Sequence, residues 1–167
     1  GFTSIPEAVF FFLIGIIIIC CVDVYWAVKN KDVVIHLAAI SNDPMGELDP
    51  NITLNINATG TVEFAKLCKK SGVGRFLMSS SCSIYGKSEG SMVETDDTEP
   101  LTTYSISKIH VEEHVTKLGS DDFCVSFLRN ATAYGDSPNL RIDLVVNNFL
   151  ACAVARSEIR IMSDGTP

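Results

Sequence analysis

Three short apolar runs separated by longer amphipathic stretches restrict what this chain can fold into more than any other feature. These are DVVIHLAA at 32–39, a short β-branched run, RFLMSSS at 75–81 and FCVSFLR at 123–129. They are too short for ordinary helices and read as strands, the first suited to burial on both faces and the second also buried. Between the first two, residues 50–71 carry apolar positions at helical spacing (Leu54, Val62, Ala65, Leu67, Cys68), and Gly72 and Gly74 end the pattern. A polar loop from Gly86 to Pro100 and a helix from Thr103 to Leu118 lead to the third strand. A helix over 141–156 and a short strand, EIRIM at 158–162, follow it. Strands that alternate with helices need crossovers, and right-handed crossovers put helices on both faces of a parallel sheet. The expected fold class is therefore α/β, a doubly wound parallel sheet.

Upstream, residues 8–22 (AVFFFLIGIIIICCV) are fifteen apolar positions in a row, longer than most strands. A bilayer helix needs about 18–20 residues. Extended to Val28, the stretch holds one charge, Asp23, and a membrane anchor and a buried element both fit it. No Lys or Arg precedes it in GFTSIPE, as a secretory leader requires. A bilayer helix ending at Val28 would crowd the strand at 33 against the headgroups, which favours an internal element. Phe10 to Ile19 are then expected against the sheet or disordered. The chain divides into an apolar segment, 1–30, and an α/β domain, 31–167. Gly at position 1 and an ending of Gly165, Thr166 and Pro167 that closes no element read as a fragment.

Charge excludes one class of partner. Thirteen Lys and Arg against twenty Asp and Glu give a net charge of −7, and no basic run offers a footprint for nucleic acid. Six cysteines (Cys20, Cys21, Cys68, Cys82, Cys124, Cys152) lack the close pairs of a disulfide framework or metal knuckle. They are expected to be reduced, mostly buried thiols of a cytoplasmic protein, in which the sequons at Asn51, Asn57 and Asn130 carry nothing.

In an open parallel sheet, ligands bind beyond the carboxyl ends of the strands, so residues after VVIHL, RFLMS and VSFLR should converge on one crevice. The second strand runs into SSSCSIYG, Ser79 to Gly86, and YSISK follows 23 residues after Ser81. It places Tyr104 and Lys108 one turn apart on one helix face. A phenol titrating near about 10 is a poor base at neutral pH, and a neighbouring ammonium favours the phenolate. Tyr104 thereby becomes a usable general acid or base, with Ser81 to hydrogen-bond the same substrate oxygen. Taken singly, Tyr-x-x-x-Lys also describes many exposed helix faces, and a serine-rich strand end is equally bland.

Together, the strings resemble the extended short-chain dehydrogenase/reductase family, in its NAD-dependent epimerase/dehydratase branch acting on nucleotide sugars, over Lys31 to Pro167. HLAA matches at His36 to Ala39, N-x-x-G-T at Asn57, Gly60 and Thr61, and S-x-x-x-Y-G at Ser81, Tyr85 and Gly86. The stretch E…P-x-x-x-Y-x-x-S-K matches at Glu94, Pro100, Tyr104, Ser107 and Lys108, and L-R-x-x-x-x-x-G at Leu128, Arg129 and Gly135. The resemblance implies a Rossmann-like fold, incomplete at both ends, with NAD as cofactor and NADP left open. It implies catalytic roles for Tyr104, Lys108 and Ser81, with Lys108 also binding the nicotinamide ribose. Leu37, Ala38 and Ala39 would line the cofactor, and Asn57 would lie near the same crevice. A nucleotide-sugar substrate would meet Ser81, Ser83 and the stretch Asn147, Asn148 and Phe149, with Asn148 preferred to Asn147. Helix capping is the plain alternative for both asparagines. A homodimer is left open.

Departures from the family pattern are informative. No GxxGxxG is present to cradle a dinucleotide pyrophosphate, Gly15 standing alone in the apolar run. This chain by itself is therefore expected to hold NAD weakly. The Asp-Glu pair that family dehydratases carry after the strand-end hydroxyl is replaced by Cys82 and Ser83, which points to an epimerase or a reductase. A truncated binding module without catalysis is the reading from another class. His110, Glu113 and His114 satisfy H-x-x-E-H, but so short a match within the Tyr104 helix is expected to hold no metal.

Overall fold

The computed structural model describes residues 23–41, 43–87, 90–138 and 140–161. The apolar run at 8–22, with Phe10 to Ile19, Cys20 and Cys21, lies outside the described residues. After a helical stretch at 23–28 come β1 (Val33–His36), α1 (Asp43–Leu48), α2 (Pro50–Leu54), a π-helical turn (Asn55–Gly60) and α3 (Thr61–Lys70). Then follow β2 (Arg75–Ser81), a 3-10 turn (Cys82–Tyr85), α4 (Thr103–Thr116), β3 (Cys124–Asn130) and α5 (Val145–Arg156). The strands are parallel in the order β1-β2-β3, with Val33 opposite Arg75 and Arg75 opposite Cys124.

Local chemistry sets these boundaries. Asp49 caps α2, its Oδ1 accepting from the backbone N–H of Asn51 (3.0 Å) and Ile52 (3.2 Å), and Pro50 fits the first helical position because it lacks an N–H. From Pro50 to Lys70 the helical winding is unbroken, and it ends where Gly72 takes φ +83°.

Phe76 and Met78 of β2 meet Ala65 and Cys68 of α3, Val111 and Val115 of α4, and Phe123, all at most 1% exposed. This core occupies one face of the sheet. The expectation that the first strand is buried on both faces is corrected among the described residues: β1 alternates, with Val33 and Ile35 exposed on the opposite face, as Leu128 of β3 is. The described helices α3 and α4 pack on the first face, so a strict inward–outward period of two appears where a continuous apolar run was read.

Two further expectations change. Glu158–Ile161 form no strand: Ser157 ends α5 in the left-handed region (φ 54°), and these residues pair with neither open edge of the described sheet. Among the described cysteines, all free, Cys68 is buried, its thiol pushed up to about 11 by burial. Cys82 and Cys124 are exposed, one in the turn after β2 and the other at the start of β3, and Cys152 is half-buried. No helix among the described residues is long and apolar enough to cross a membrane.

Candidate active site

The start of α4 is tightly specified. Thr102 caps it, accepting from the Ser105 N–H at 3.2 Å, while the Ser105 hydroxyl accepts from the Thr102 N–H at 3.1 Å, a reciprocal capping box. Glu47 of α1 accepts from the Thr103 N–H at 2.8 Å, which satisfies another open donor of the first turn. Tyr104 projects from that turn, so the caps that fix the helix end also fix the phenol.

The end of β2 supplies the opposing groups. Ser81 caps the 3-10 turn, its Oγ accepting from the Ser83 N–H (3.2 Å) and from the Ser83 hydroxyl (2.9 Å). With its oxygen engaged as acceptor, Ser81 presents its own O–H as a donor. Ser81, Ser83, Tyr104, Asn130 and Asn147 all line one cleft of about 1030 Å³ at the carboxyl ends of the strands.

Lys108 lies one turn past Tyr104. Its Nζ donates to the Ser79 carbonyl at 2.8 Å and stands 5.2 Å from the centre of the Tyr104 ring. Burial holds its ammonium down to about 8. Burial, and then the Lys108 charge, keep His36 below the ordinary imidazole value, and His36 Nε2 pairs with the Thr61 hydroxyl at 3.0 Å.

At the end of β1, Leu37 and Ala38 are exposed and Ala39 is half-buried. Asn57, 2% exposed, clamps the loop that follows: its Oδ1 accepts from the Ile40 N–H (2.8 Å) and its Nδ2 donates to the Ile40 carbonyl (2.9 Å). Its amide is thus committed to the loop backbone, and Asn57 shapes the strand end from behind. The two asparagines of α5 are placed differently, and the one in the cleft wall is Asn147, not the preferred Asn148. Asn147 lines the cleft, accepting from the Gly135 N–H and donating to the Arg141 carbonyl, both at 2.9 Å. Asn148, about 100° further round the helix, is exposed and donates to the Ile142 carbonyl at 3.1 Å. The helix starts at Val145 and not at 141, and the Arg141 and Ile142 carbonyls accept from the two asparagine side chains. Phe149 is half-buried and lies outside the residues lining the cleft. His110 and His114 stack on each other with ring centres 4.0 Å apart, and His114 Nδ1 donates to the His110 carbonyl at 2.8 Å.

Sequence reasoning missed Glu112. It accepts from the Ser80 hydroxyl at 2.5 Å and from Arg129 Nη2 at 2.8 Å. The every-fourth-residue series Tyr104, Lys108, Glu112 was the available signal.

A parallel α/β sheet with Tyr104 and Ser81 lining one cleft at its strand ends points to a class, and comparison with known proteins agrees. Residues 21–167 match the model of the NAD dependent epimerase/dehydratase family, and the chain belongs to that family. It is 34% identical over 147 residues to the UDP-glucose 4-epimerase of Vibrio cholerae, covering 83% of this chain and 40% of that one. Among solved structures, MoeE5 in complex with UDP-glucose and NAD superposes with a TM-score of 0.74 at 30% identity, covering 85% of this chain and 48% of that one. The UDP-glucuronic acid 4-epimerase from Bacillus cereus, in complex with NAD, gives 0.73 at 26%, covering 86% and 45%. The fold is therefore of Rossmann type, and the chain spans less than half the length of these relatives.

The family is NAD-dependent. Of the residues expected to meet that cofactor, Leu37, Ala38, Ala39, Asn57 and Lys108 lie outside the residues lining the cleft. The small, accessible Ala38 and the half-buried Ala39 let a flat group approach the strand end, and Lys108 offers an ammonium beside Tyr104. The glycine-rich pyrophosphate cradle is not among the 167 residues.

Proposed function

We propose that the complete protein is an NAD-dependent epimerase of a nucleotide sugar, working through transient oxidation of one sugar hydroxyl. The observation that carries this reading is the presence of Tyr104 and Ser81 in the wall of one cleft, with Lys108 tying the Tyr104 helix to the strand that bears Ser81. Bound NAD would supply the hydride acceptor and return the hydride. Tyr104 would take the hydroxyl proton as the carbon is oxidised and give it back on reduction. Ser81 would donate to the same oxygen and hold it in register. Lys108 would favour the phenolate and hold the nicotinamide ribose. Return of hydride to the opposite face inverts the centre with no net redox change. Ser83, Asn147, Asn148 and Phe149 would serve the substrate side. Elimination of water needs a second acid–base pair, and Cys82 and Ser83 are a poor pair for it.

The test is incubation of the complete protein with catalytic NAD and UDP-glucose or UDP-glucuronate, followed by proton NMR. Appearance of the epimeric sugar without accumulation of NADH supports the reading. Stoichiometric NADH with an oxidised sugar would replace it with a dehydrogenase, and no change in either substrate would remove this substrate class.

A further inference from the structure

Tyr104, Lys108 and Glu112 recur every fourth residue and so share one face of α4. That face lies across three consecutive residues of β2. Lys108 holds the Ser79 carbonyl at 2.8 Å, Glu112 holds the Ser80 hydroxyl at 2.5 Å, and Ser81 opens into the cleft. The Glu112 carboxylate also receives Arg129 of β3 through Nη2 (2.8 Å) and Nε (3.2 Å). Arg129 continues through Nη1 to the Tyr85 hydroxyl (2.7 Å) and the Glu94 carbonyl (3.0 Å), and Tyr85 donates to the Val93 carbonyl at 3.0 Å. One carboxylate thus joins the catalytic helix to both strand ends and, through Arg129, to the loop after β2.

We propose that Glu112 is a positioning residue: by bonding Ser80 and Arg129 it fixes the placement of α4 on β2, and with it the distance between Tyr104 and Ser81. The proposal rests on the reading of Tyr104 and Ser81 as the reacting pair. Glu112 sits about 12 Å along the helix axis from Tyr104, at 1.5 Å per residue. A slip of α4 at its far anchor is therefore carried to the phenol. Misplacement of a reacting group by about 1 Å costs on the order of 10²-fold in rate. The side chains of Arg129 and Glu112 are 20% and 13% exposed and line a cleft with Tyr85 and Glu94.

The test uses the complete protein and steady-state kinetics of Ser80→Ala, Ser80→Thr, Glu112→Gln and Tyr104→Phe. Ser80→Ala removes one hydroxyl and keeps the protein measurable should Glu112→Gln fail to fold. The expected result for Ser80→Ala is a drop of about tenfold or more in kcat with KM for the sugar nucleotide unchanged, and recovery in Ser80→Thr. In a Tyr104→Phe background, Ser80→Ala should cost nothing further, because its effect passes through the phenol. Full kcat in Ser80→Ala, or an equal additional loss in the Tyr104→Phe background, would overturn the positioning role while the catalytic reading stands. A fully active Tyr104→Phe would instead overturn the catalytic reading on which the proposal rests.

Discussion

Lys108 donates its ammonium to the backbone carbonyl of Ser79 at 2.8 Å, a bond that couples the turn after Tyr104 to the strand position two residues before Ser81. It also buries a charge, and that has a measurable pH signature.

Burial lowers Lys108 from 10.5 to about 8. Between those values the unfolded chain binds this proton more tightly than the folded one, so this group makes stability rise with pH across the window. Cys68, raised from 9.0 to about 11, acts in the opposite sense over its own window. The contrast between wild type and Lys108→Met isolates the lysine. Thermal denaturation from pH 7 to 10.5 should show wild type gaining on Lys108→Met above about 8. A constant gap would show that the lysine is not held in a desolvated site.

Gly86 takes φ +65°, and a Cβ there would meet the Glu99 carbonyl oxygen at 2.1 Å, a backbone atom that cannot swing aside. Gly86→Ala is expected to destabilise by about 1–3 kcal/mol through strain and overpacking. Urea denaturation showing a loss below about 0.5 kcal/mol would place the variant among neutral surface changes.

Much of this was legible in the sequence for reasons of period and spacing. VVIH is a β-branched run, RFLM is a short apolar run after the turn glycines Gly72 and Gly74, and Tyr104 and Lys108 share a helix face whatever the tertiary fold. What stayed hidden depended on neighbours far along the chain. Whether Ile35 faces a helix or solvent is set by which sheet face α3 and α4 cover, and the local pattern does not encode that. The choice between Asn147 and Asn148 turns on where α5 begins, and their own bonds reach back to Arg141 and Ile142. EIRIM has strand composition, but composition does not encode docking, and Glu158–Ile161 stay off the open edge of β3. Glu112 was overlooked because Arg129, its partner, lies 17 residues downstream on another strand.

Asn57 satisfies both backbone groups of Ile40 from a buried position. Asn57→Ala should leave them unpaired at a cost of about 1–3 kcal/mol for each group that water cannot reach. Because the loop it holds follows Leu37, Ala38 and Ala39, NAD affinity of the complete protein should fall as well. Calorimetry giving wild-type NAD affinity would separate that loop from the cofactor.

The most direct measurement of the central claim is turnover of the complete protein carrying Tyr104→Phe, with NAD binding measured on the same preparation. Loss of a positioned proton-transfer group predicts a fall in kcat of about 10²–10⁴-fold, with NAD affinity unchanged. Turnover near that of wild type would contradict the assignment of Tyr104 as the group that moves the proton.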